Sequence, residues 1–256
     1  MTSRPQKVER LFEFLCENHH FNRVIQEDFL RQTLYSCETI EERARLLLYK
    51  IVNTQSQPKL DPIQDFFQRI ANDKKSLSNF KEFSQFLSVN SQTKSGLFKA
   101  LEGQAGWGPK TSALLIRNLA MIERRQDLRS RFWLDLDVIE SKEVYLPVDA
   151  VIKSIFQRFT ERDLDLRKSA PCNFDGINVF LKEKLNYTNS DILIWDDLWF
   201  WGFITQSSKS DKQNRTYGWN SAKYWSIFSA PKDNVSISEI RSLAREFLKL
   251  TAPKGP

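Results

Sequence analysis

Gly96-Leu-Phe-Lys-Ala-Leu-Glu-Gly-Gln-Ala-Gly106-Trp107-Gly108-Pro109-Lys110-Thr111-Ser112-Ala113 reads as a short helix, a tight turn with two glycines, and a second helix running to about Ile122. Pro109 suits the first helical position, where its missing N–H costs nothing. Gly106 and Gly108 permit backbone geometry that side chains forbid and let a ligand approach closely. Leu115, Leu119 and Ile122 give the second helix a buried face. The turn amides and the helix N-terminus then face outward as an anion site. The competing reading is an ordinary corner, in which Gly and Pro serve only the turn. The full order G-W-G-P-K-T-S-A is more specific than that and favours a grip on phosphate.

Outward from this hairpin the apolar spacing is helical nearly throughout. The i, i+3, i+4, i+7 template fits Val8–Leu15, Ala44–Ile51, Ile63–Ile70, Ile152–Phe159 and Ile240–Phe247. Each set places one apolar stripe on a helix. Thr39-x-x-Glu42 and Ser236-x-x-Glu239 read as capping boxes. Strand-like alternation is scarce. Lys142–Val148 is its best candidate and Pro147 limits it, while 205–216 reads as an exposed loop. The expectation is an all-α protein of two lobes: residues 40–160 as a central helical lobe, and 1–39 with 161–256 as a second.

The chain carries 38 Lys and Arg against 32 Asp and Glu, a net charge of +6. This suits a polyanionic partner, and the distribution sharpens the point. Arg117, Arg124, Arg125, Arg129 and Arg131 face only Glu123 and Asp127, and Lys209, Lys212, Arg215 and Lys223 face only Asp211. Either run also fits a solvated surface. Cys16, Cys37 and Cys172 show no metal-ligand spacing and their odd count argues against a disulfide framework. The adjacent His19 and His20 have no nearby Cys pair and read as structural or surface residues, so no metal and no other cofactor is expected. No apolar run reaches membrane-spanning length and the polar start lacks a signal-peptide layout, so a soluble, intracellular protein without membrane contact is expected.

Gln104–Ala113 resembles the helix-hairpin-helix of the endonuclease III and 8-oxoguanine DNA glycosylase superfamily. Leu146-Pro-Val-Asp149-Ala-Val151 resembles that family's V-P-V-D segment, and Leu48–Gln57, more loosely, its early helix end with a glutamine that enters the opened duplex. The three segments occur in family order. The resemblance implies a two-lobed helical glycosylase fold with an active-site cleft between the lobes. It makes Lys110 the amine nucleophile of a bifunctional glycosylase/lyase, Asp149 the essential carboxylate and Gln55 a duplex wedge. Gly106, Trp107, Gly108, Thr111 and Arg117 become DNA contacts, with Trp107 alternatively anchoring the turn.

The implied partner is double-stranded DNA with a damaged base, met by a monomer, and oxidised guanine is favoured as the lesion. The chain departs from the family in three ways. The segment from Lys110 to Asp149 is long, no cysteine quartet follows Asp149 and so no iron–sulfur cluster is implied, and Val151 stands where a histidine is frequent. Two other readings stay open: a monofunctional glycosylase for alkylated or mismatched bases using Asp149 alone, and a non-catalytic DNA-binding module.

The chemistry suits those residue types. Cleaving an N-glycosidic bond builds positive charge on the sugar, which a carboxylate stabilises. A lysine attacking C1′ must be neutral, so burial and the positive helix end have to oppose the pull of a neighbouring carboxylate. Asp149 also suits a plain role as N-cap of the helix that follows. Asp191–Ile204 is unusually aromatic; most of that mass belongs to a core, but a flipped base needs a flat partner, and Trp199, Phe200 or Trp201 is expected to line the pocket.

Overall fold

Helices account for nearly all the regular structure, as the apolar spacing predicts. A computed structural model of the chain describes residues 4–55, 58–73, 75–89, 93–135, 144–166, 171–208, 215–227 and 237–253. By its contacts the chain divides into two units, one of Gln26–Pro147 and one of Met1–Ile25 with Val148–Pro256. The division falls after residues 25 and 147 rather than near 40 and 160. The N-terminal segment joins the C-terminal region, as expected.

In the unit Gln26–Pro147, α3 (Ile40–Val52) starts at the predicted capping box: Thr39 accepts from the Glu42 amide and Glu42 reaches back to the Thr39 N–H. Its stripe of Ala44, Leu47, Leu48 and Ile51 is buried, each larger side chain contributing roughly 1.5–3 kcal/mol. α4 (Leu60–Asn72) buries Ile63, Phe66 and Ile70. α5 (Phe80–Phe86) is capped twice, by Asn79 on the Glu82 amide and by Asp135 on the amides of Phe80 and Lys81. Phe80, Phe83, Phe132 and Trp133 form an aromatic cluster beside it, and the Trp133 indole N–H donates to Leu77 O.

α6 (Lys94–Glu102) and α7 (Pro109–Arg124) pack against each other. An ion pair between Lys94, only 1% exposed, and Glu123 ties the start of one to the end of the other. α7 is buried on nearly every side, from Thr111–Ala113 through Leu115–Ala120 to Ile122, and so runs through its unit rather than along its surface. The short α8 (Gln126–Arg129) follows.

In the other unit, α1 (Gln6–Glu17) packs on α14 (Ile237–Thr251); Val8, Leu11, Phe14 and Leu15 of the one and Ile240, Ala244 and Phe247 of the other are buried, and the Phe14 and Phe247 rings lie 5.9 Å apart. Ser236, the expected cap of α14, lies outside the described residues. α9 (Ala150–Phe156) packs on α12 (Asp197–Ile204) at Gly202, where an added Cβ would stand 2.5 Å from Val151 Cγ1. α10 (Phe174–Val179) and α11 (Asn189–Trp195) complete the helices before α12.

Residues 144–148 of the expected strand are not one. The expected loop instead holds two short antiparallel strands, β1 (Gln206–Ser208) and β2 (Arg215–Tyr217), followed by α13 (Ser221–Ile227). They gave no alternation signal because each is only three residues long. The expectation of an open loop is corrected at Gln206, which is buried and whose amide donates to Val151 O. No described helix is long and apolar enough to cross a membrane.

Candidate active site

The turn between α6 and α7 is built around Gly106. Its φ of 87° is left-handed, and a Cβ there would lie 2.9 Å from Ile63 Cγ1. Both conformation and space therefore demand glycine. Gly108 differs: its backbone is extended and an added Cβ would meet nothing within 4 Å. Local folding does not require glycine there, which corrects the expectation that both glycines permit backbone geometry that side chains forbid. Trp107 is 6% exposed and packs edge-on to Phe66, so it anchors the turn rather than projecting from it.

Gln55, just past the end of α3, donates to Gly106 O at 3.0 Å. Two segments about fifty residues apart are thereby joined at the turn. The bond engages the Gln55 amide, so a wedge role would require its release. Gln104 adds a second tie, accepting from Arg69 at 2.7 Å.

Lys110 is the second residue of α7 and is half-buried. No side chain caps α7, because its N-cap is Gly108. Thr111 and Arg117, expected to meet DNA, are 3% and 8% exposed. Arg117 sits one turn from Ala113, Ala120 and Met121 on a face that the fold covers, and its guanidinium donates to Met121 Sδ. Charge alone does not keep a residue outside when its helix is central. Arg125 stays partly exposed but is paired, bonding Glu27 at 2.8 Å and Asp127 at 3.1 Å. The basic run is therefore partly neutralised within the unit.

Asp149 is the N-cap of α9, and its Oδ1 accepts from the amides of Val151 at 2.8 Å and Ile152 at 2.9 Å. The extended Leu146-Pro-Val leading into it is buried. The side chain is half-buried. Close enough to Asp149 for their charges to interact is Lys223 on α13, which donates to Gln206 O and lies 4.7 Å from the Phe203 ring. Burial, then Arg215, pulls the Lys223 ammonium below its ordinary pKa, and Asp149 opposes them. Sequence placed Lys223 only in a basic run. The packing of α13 on α12 brings it within reach of the Asp149 charge.

Of the aromatics expected to line a base pocket, Phe200 and Trp201 are fully buried, Trp201 among Phe14, Phe21 and Phe247, and they are corrected to core. Trp199 is half-exposed and stacks on Phe203, ring centroids 5.3 Å apart, so Phe203 is the partner that sequence reasoning missed. An i, i+4 spacing could have signalled it.

The same unit contains a second carboxylate, Asp197, fully buried and held by His19 Nδ1 and Asn22 Nδ2, both at 2.8 Å. Burial pushes its pKa up to about 7, and the bond to Asp197 raises that of His19. His19 is thus structural, as one of the two sequence readings held.

Comparison with protein-family models, curated proteins and solved structures finds no significant match. The geometry stands alone. Among the described residues no group of three or more His, Cys, Asp and Glu gathers as for a metal ion.

Proposed function

We propose that the protein is a bifunctional DNA glycosylase/AP lyase that excises an oxidised base, oxidised guanine for preference, from duplex DNA. The observation that carries this reading is the bond from Gln55 to Gly106 O. It brings together two of the three segments on which the resemblance rests, at a turn whose geometry admits only glycine.

In this reading the uncapped start of α7 and the open face at Gly108 receive a backbone phosphate. The damaged nucleotide leaves the stack, because C1′ is unreachable inside a duplex. As the glycosidic bond breaks, the Asp149 carboxylate stabilises positive charge on the sugar. The neutral amine of Lys110 attacks C1′ and the base departs with the bonding electron pair and takes up a proton. The C1′–O4′ bond then breaks, O4′ taking up the proton that the amine has released, and the opened sugar is left with an imine between Nζ and C1′. Removal of a C2′ proton then breaks the C3′–O bond, and the phosphate leaves by β-elimination.

Borohydride trapping tests the reading. The expected result is a covalent adduct with lesion-containing duplex that disappears in Lys110→Ala. Base release without an adduct would assign a monofunctional glycosylase using Asp149 alone. Duplex binding with neither would assign a non-catalytic DNA-binding module.

A further inference from the structure

The face built by β1, β2 and α13 combines cations and exposed rings. Its described residues, 205–208 and 215–227, contain Arg215 and Lys223 and no Asp or Glu. The same span holds four aromatic residues, Tyr217, Trp219, Tyr224 and Trp225. Trp225 is 45% exposed and Tyr217 38%. Tyr224 is buried and acts as the keel, with Trp219 at 5.4 Å on one side and Trp225 at 5.5 Å on the other. Lys223 continues the surface onto Phe203, which stacks on Trp199. Arg158 lies 4.0 Å from the Tyr217 ring centroid.

We propose that this face binds unpaired nucleotides of a DNA strand, with bases stacked on Trp225, Trp219 and Tyr217 and phosphates held by Lys223 and Arg215. The inference rests on the nucleic-acid part of the proposed function and not on its chemistry. Flat rings interleaved with cations match what an unstacked strand offers, since every base has a π-face and every linkage a charge. A closed duplex hides its base faces and has no use for an exposed indole. An ammonium has three N–H donors and Gln206 O takes one, so Lys223 keeps capacity for a phosphate.

The test is binding of a fluorescent twelve-nucleotide oligothymidylate to the full chain, with lesion-duplex excision measured on the same preparations. Trp225→Ala is expected to weaken oligonucleotide binding by about tenfold, the scale of one stacked base, and Trp225→Phe to keep it within about threefold. Lys223→Gln is expected to lower the slope of log K against log salt by about 0.7. Because Trp225 is exposed, its loss leaves folding intact, checked by circular dichroism. Equal oligonucleotide affinity in wild type and Trp225→Ala overturns the inference. So does binding to anionic vesicles without oligonucleotide binding, which would mark a membrane surface. Oligonucleotide binding without excision would overturn the glycosylase reading and leave this face standing; excision without it would do the reverse.

Discussion

Two helices bear the residues proposed for chemistry, and their first turns are built on opposite plans. α7 opens on Gly108 and Pro109, with no side chain to receive its first amides. α9 opens on Asp149, whose carboxylate accepts from two of them. A helix start presents orphan donors and a partial positive charge, which something must satisfy. In α9 the protein supplies the anion itself and so fixes the carboxylate in place. In α7 it supplies none, a position that the proposed function assigns to a phosphate, and the left-handed backbone that shapes the turn sits at Gly106, one residue before Trp107. A fixed acid and an open anion seat are different uses of one backbone feature.

The largest expected effect breaks the α9 side. Asp149→Asn keeps an oxygen for the cap but loses the charge, so single-turnover excision should fall at least about a hundredfold while the urea midpoint hardly moves. Near-normal excision in that variant would reduce Asp149 to a helix cap. On the α7 side, Gly106→Ala forces a left-handed backbone and a contact with Ile63, and should cost about 2 kcal/mol in urea unfolding. Unchanged stability there would mean that the turn is not strained.

A third test sets Asp149 against Asp197, a buried carboxylate of the same unit. Asp197 has its pKa raised from 3.8 to about 7 by burial, and His19 is raised above 6.5 by its bond to Asp197. The folded pair therefore holds protons more tightly than the unfolded chain. Stability from it is fully present at low pH and declines as pH rises, through Asp197 between 3.8 and about 7 and through His19 above 6.5. Urea midpoints of Asp197→Asn should fall less than those of wild type between pH 5 and pH 8. A wild-type slope as shallow as the variant's would refute this account. The smallest effect is at Gly108→Ala. Stability should stay within about 0.5 kcal/mol, the range for an unconstrained surface site, while duplex affinity drops severalfold as a methyl group enters the phosphate seat. An unchanged affinity would move the seat elsewhere.

Much of this was legible beforehand. The stripes of α3 and α4, the capping box at Thr39 and Glu42 and the cap at Asp149 are local, written in residues three or four apart, and the structure shows each of them. The fates of Arg117, Phe200 and Trp201 were not legible. α7 is covered on nearly all sides, so Arg117 is buried despite its charge. α12 is apolar all round, and such a helix has no pattern to say which ring faces out.

The sequence by itself determined the helical class, the starts of α3, α7 and α9 and the one turn that needs a glycine, because periodicity, caps and φ preferences act over a few residues. Tertiary structure decided which charges stay outside, which tryptophans are core and that Lys223 lies within reach of the Asp149 charge. Those outcomes depend on which elements pack together across long separations, and a single chain of letters carries no local signature of its distant neighbours.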